Sequence, residues 1–133
     1  MRVTRRRGRV VVADPDQETL VIDVPGVCVD LADRVKALRR DVGYRNGRHI
    51  SALPGRLEAL GLTEVTVDAF PLVITDPDEA FGLPTWVRWG RDNGHRFTDA
   101  DIEEWDDGMD RARANGLVYA LLYFVVSATV THR

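Results

Sequence analysis

Two carboxylates on either side of a proline, Asp14-Pro15-Asp16, are the first side chains whose types and spacing suit chemistry. They close the apolar run Val10-Val11-Val12-Ala13. Paired carboxyls support acid–base work when their surroundings push their proton affinities apart. A strand with one wet face alternates, whereas a strand covered on both faces is apolar throughout. Val10 to Ala13 therefore reads as a strand buried inside an α/β layer and ended by Asp-Pro-Asp. Pro15 cannot donate to a ladder and keeps Asp14 extended. The acids would then lie at the carboxyl end of a buried strand, the edge where open α/β sheets bind ligands. The plainer alternative is a turn, or a cap on the next segment.

Other reactive side chains are sparse. His49, His95 and His132 lie far apart with no paired cysteines, so no metal set is legible and each reads as a surface or loop histidine. Cys28 precedes a helical pattern; it is either a thiol of lowered proton affinity or, more simply, a small buried hydrophobe. Trp86, Trp89 and Trp105 either line a pocket for a planar or apolar molecule or form the core of a helical pair. No Gly-x-Ser-x-Gly elbow and no glycine-rich phosphate loop after a strand is present.

The elements that must position these groups follow from periodicity. Leu20, Ile22 and Val24 share one side of a short extended piece stopped by Pro25-Gly26. Leu31, Val35, Leu38 and Val42 predict a helix over Asp30 to Arg40, with Gly43 as its stop. A second helix carries Leu53, Leu57 and Leu60, with Ser51 as candidate N-cap and Pro54 in the first turn. Glu64 to Ile74 predicts a strand, and Pro71 within it implies a bend or an edge position. Asp76-Pro77-Asp78-Glu79 starts two short helical pieces that Asn93-Gly94 closes. Thr98 with Asp101 caps a further helix bearing Ile102, Trp105, Met109 and Ala112. The apolar run Val118 to Val130 predicts a central strand.

Composition bounds the function. The chain has 133 residues, 44% of them hydrophobic and 29% charged, which suits one domain with a real core. A net charge of −3 gives no global pull toward nucleic acid or anionic membrane. Arg2, Arg5, Arg6, Arg7 and Arg9 crowd the amino end without interleaved aromatics, so a solvated face is the simpler reading than an RNA site. Met1 is followed by arginines rather than an apolar leader, and no apolar run reaches the roughly twenty residues of a membrane span. A single cysteine suits a reducing cytosol, so a cytoplasmic location is expected.

Arg7 to Asp16, Arg-Gly-Arg-Val-Val-Val-Ala-Asp-Pro-Asp, resembles the segment reading roughly RPGGRVVVADPDW in class I S-adenosylmethionine-dependent methyltransferases, in the subgroup similar to ubiquinone and menaquinone biosynthesis enzymes. Thr19-Leu20-Val21-Ile22-Asp23 resembles that family's TLVID stretch. Arg45-Asn46-Gly47, Leu53-Pro54 to Leu57, and Ala59-Leu60-Gly61-Leu62 resemble its RNG…LPxLxxxAGL helix. Glu64-Val65-Thr66-Val67 resembles the sixth strand and the closing apolar run the seventh. The chain departs from the pattern with Arg6-Arg7 in place of Pro-Gly and Gln17 in place of Trp.

The resemblance implies an α/β, partial Rossmann-like methyltransferase fold over 1–133, a single domain matching the carboxyl-terminal, substrate-side half. It implies a three-stranded mixed sheet with the last strand central and the middle strand at an edge, and about four helices. The half that carries the cofactor loop has no counterpart in these residues. S-adenosylmethionine would therefore be held only with a partner, a second copy or a separate cofactor-binding chain, across the Val10–Ala13 edge. Asp14 and Asp16 are the expected catalytic positions; Thr19, Arg45 and Trp86 are the expected substrate contacts, for a small molecule. Two other functions fit the same residues. One is a cofactor-independent cyclase or isomerase using Asp14 and Asp16. The other is a non-catalytic methyltransferase-like module for dimerisation or ligand binding. No nucleic acid, membrane or metal is expected.

Overall fold

The computed structural model describes residue 5 and residues 7–43 and 49–131. The chain is α/β. Strand β1 (Arg9–Asp23) leads to helix α1 (Val29–Leu38), a π-helical turn (Arg39–Gly43) and helix α2 (His49–Ala59). Strand β2 (Thr63–Ile74) follows, then two 3₁₀ turns (Pro77–Glu79 and Leu83–Thr85), helix α3 (Trp86–Asp92), helix α4 (Asp99–Asn115) and strand β3 (Val118–Thr129).

The strand order is β1-β3-β2, so the last strand is central and the middle strand lies at an edge, as expected. The pairing is antiparallel rather than mixed. Because β3 inserts between β1 and β2, those two strands run in one direction without touching, and every ladder pairs opposite directions. The Leu117 amide donates to the Thr75 carbonyl at 2.9 Å, and Thr129 donates to Glu64 at 2.6 Å. Arg9, Ser127 and Thr66 join their hydroxyls and guanidinium across all three strands, at 2.7 and 2.6 Å.

Two expectations for the first strand are corrected. Val10 to Ala13 is not covered on both faces: burial alternates, and Val11 is 62% exposed. Val11 and Ala13 are exposed while Val10 and Val12 are half-buried, so one face of this run is left uncovered. Nor does Asp-Pro-Asp end the strand, which continues to Asp23. An edge strand tolerates Pro15 because the missing N–H need not enter a ladder. Asp16 and Gln17 are both buried although adjacent, which strict alternation forbids. The alternation of β1 therefore breaks here, an irregularity of the kind that a bulge makes.

The chain groups into two compact units, Met1–Thr19 with Asn46–Leu72 and Leu121–Arg133, and Leu20–Arg45 with Val73–Ala120. In the first, Ile50 and Leu57 of α2 pack on Val126 and Ala128 of β3, with Val12, Leu53, Leu62, Val65 and Phe124 around them. Helix α2 begins at His49, so Ser51 lies inside it, and Pro54 stands past the first turn. There Pro54 removes the bond its nitrogen would give the Ile50 carbonyl. In the second unit, Leu20, Ile22, Leu31, Val35, Val87, Trp105, Met109 and Tyr119 are buried. Thr98 and Asp101 form a full capping box on α4, as the sequence predicts. Helix α1 ends at Leu38, short of Arg40, and the wider π turn takes over. Cys28 is exposed rather than a buried hydrophobe; its sulfur caps α1 by accepting from the Leu31 amide at 3.4 Å.

Candidate functional site

The first unit places the acidic pair on the β1 bulge, and the two carboxylates differ in surroundings. Asp14 is half-exposed, and its Oδ2 lies 3.2 Å from Nε2 of His49, the first residue of α2. Asp16 is 4% exposed, and its Oδ1 accepts the Glu18 amide at 2.9 Å. Sequence reasoning read His49 as a surface or loop histidine; it lies in α2 and is half-buried. That reading missed the pair because the partners are separated along the chain by the whole α1 segment, and only pairing of β1 with the sheet under α2 brings them together.

Thr19 completes the bulge. Its hydroxyl donates to the Asp16 carbonyl at 2.7 Å and accepts the Leu122 amide of β3 at 2.9 Å. A side-chain oxygen of β1 thus takes a backbone amide of β3. The only hydrogen of this hydroxyl is used within the fold, so toward a ligand Thr19 could only accept. Gln17, between the acid and Thr19, is 4% exposed, and its Oε1 has no hydrogen-bond partner among the described residues. Arg45 lies outside the described residues.

Trp86 belongs to the second unit and lines a cleft. Together with Gly43, Thr85 and Trp89 it borders a cavity of about 280 Å³. Arg39, on the π turn, is fully buried and lies 3.6 Å from the Trp86 ring centroid and 5.1 Å from that of Tyr119. Its Nη1 donates to the Ala80 carbonyl at 3.4 Å. A Cβ at Gly43 would stand 3.0 Å from Cη2 of Trp86, so a side chain there would press on the ring. Trp89 is 42% exposed and stacks on His95 with ring planes 23° apart. Trp105 is core, its indole donating to the Leu83 carbonyl at 3.0 Å. The three tryptophans therefore divide, two onto a cleft and one into packing.

A charged network fixes α1 to the start of α4. Arg34 makes a forked pair with Asp101 at 2.9 and 3.0 Å and a second bond to Asp30 at 2.9 Å. The Arg34 guanidinium, bonded to Asp101, holds that carboxyl down to about 2, with the Thr98 amide adding to the effect. Among the described residues no group of His, Cys, Asp and Glu is arranged to hold a metal ion. No helix among them is long and apolar enough to cross a membrane.

No protein-family model matches this chain, and no curated protein matches it either.

Proposed function

We propose that these residues form the substrate-side half of a methyltransferase-like protein acting on a small molecule. The carrying observation is the sheet: β3 inserts between β1 and β2, and among the described residues no strand pairs with the outer edge of β1. The resemblance asks for that central closing strand, and for a neighbour on β1 from the half that binds the cofactor. An open apolar edge recruits another strand. We place a second copy or a separate cofactor-binding chain there. On this reading the loop that cradles S-adenosylmethionine comes from that partner, as the resemblance implies. When bound by such a partner, the cofactor supplies the methyl group.

This chain's own contribution is alignment and proton handling. Methyl transfer requires a nucleophile held in line and, where it carries a proton, a base. The Asp14–His49 pair suits the base: the carboxylate lies 3.2 Å from Nε2 and orients the imidazole. Asp16 holds the bulge in shape through Glu18, which is a positioning role. The same pair also favours a second reading, acid–base chemistry such as isomerisation with no methyl donor.

Isothermal titration of the chain with S-adenosylmethionine tests the first reading. No saturable heat is expected. Binding at micromolar concentration would overturn the division of labour proposed here.

A further inference from the structure

We propose that the sheet face opposite helix α2, in the first compact unit, is the contact surface for a second copy of this chain, packed face to face about a two-fold axis. It goes beyond methyl transfer and uses a surface other than the outer edge of β1. No cofactor and no added strand are needed, and every residue invoked lies within the first unit.

Helix α2 packs on Val126, Ala128 and Phe124 of β3, with Val12 of β1 and Val65 of β2 beside them. Side chains alternate along a strand, so the residues between these point the other way. Arg9, Ser127 and Thr66, hydrogen-bonded in one row, fix the register of that second face. The Thr129 hydroxyl, donating to Glu64, belongs to the row before. The rows after it are Val11, Val125 and Asp68, then Ala13, Tyr123 and Phe70. Val11, Ala13, Asp68 and Phe70 are exposed, Phe70 at 57%. A contiguous apolar patch rimmed by charge marks a contact surface.

The charges choose the occupant. The β1 side of the face carries Arg9, and the β2 side carries Glu64 and Asp68. Arg9 bonds to a hydroxyl, and among the described residues neither it nor Asp68 forms an ion pair. A two-fold axis along β3 keeps every row at its level and exchanges the sides, so β1 of one copy lies over β2 of the other. Arg9 then enters between Glu64 and Asp68 of the second copy, twice by symmetry, and Phe70 meets the small side chain of Ala13. Sheets pack this way about 10 Å apart with their strands within about 30°. A patch three strands wide is small for an interface, so the dimer is a weak one.

Sedimentation equilibrium of the whole chain between about 5 and 300 µM reads the association, and circular dichroism of each variant reads the fold. A monomer–dimer equilibrium with a dissociation constant of about 10–100 µM is expected. Phe70→Lys, at an exposed position of β2, should weaken it by about tenfold or more. Asp68→Arg and Arg9→Asp should each weaken it by about three- to tenfold, and the two together should associate at least about threefold more tightly than either alone. Isotope-filtered NMR on a mixture of labelled and unlabelled chain should show the Phe70 ring of one copy against the Ala13 methyl of the other. Phe70 and Asp68 stand on the strand farthest from the outer edge of β1, so a dimer formed by strand addition there is indifferent to both. The proposal fails if the chain stays monomeric over that range, if Phe70→Lys associates like the parent, if the two charge reversals together are no better than either alone, or if the dimer shows no Phe70–Ala13 contact between copies.

Discussion

Gln17 shows how a single residue can be costly to the fold and still informative. Its amide oxygen is desolvated with no partner among the described residues, and such a group costs about 1–3 kcal/mol compared with an apolar group of like shape. Gln17→Met is therefore expected to raise stability by about 1 kcal/mol, measured by urea denaturation. A loss of stability would show that the amide makes a bond that matters. Asp101 illustrates the opposite case. Its folded proton affinity is depressed by Arg34, so its stabilisation is present above the ordinary carboxylate value of 3.8 and is lost as pH falls toward about 2. Asp101→Asn should cost about 1.5–3 kcal/mol at neutral pH and flatten the fall in melting temperature across that acid window. An unchanged acid limb in thermal melts would count against the pair.

At the scale of elements, α4 depends on a glycine that helix propensity alone would replace. A Cβ on Gly108 would stand 2.4 Å from Cγ2 of Val27 and 2.9 Å from Cγ1 of Val24. Alanine gains about 1 kcal/mol of intrinsic helix preference, but crowding branched side chains in a packed contact costs about 1–3 kcal/mol. The clash dominates, and Gly108→Ala is expected to lower stability in denaturant titrations. β1 teaches a related lesson. Its bulge absorbs Pro15, buries Asp16 and Gln17 side by side, and hands one ladder bond to the Thr19 hydroxyl. Bulges of this kind re-aim side chains, and here Asp14 meets His49.

For the whole molecule, the open edge of β1 sets the expected assembly. If the proposed reading holds, the chain self-associates, or pairs with a separate cofactor-binding chain, through the segment around Val11. Val11→Lys places a charge on that exposed edge position. Sedimentation should then show dissociation of any dimer, with little change in the melting temperature of the monomer. A parent chain that stays strictly monomeric at micromolar concentration and binds no partner would remove the reason for a covered edge.

Much of the architecture was written in local patterns. Thr98 and Asp101 announced the α4 cap, Asp76 and Pro77 the first 3₁₀ turn, and the apolar run from Val118 the central strand, because caps and hydrophobic periodicity act over a few residues. Pro71 correctly suggested an edge for β2. Other features were decided only when the chain folded. The exposure of Val11 depends on what packs over that face, and the continuation of β1 through Asp-Pro-Asp on which strand lies beside it; an apolar run reads alike in either case. The Asp14–His49 contact, the stacking of Arg39 on Trp86 and the parting of Trp105 from the other two tryptophans join residues distant in sequence. Side-chain types and local spacing were set by the sequence alone; which chemistry-bearing groups became neighbours was a matter of long-range pairing and packing, which no short window of residues contains.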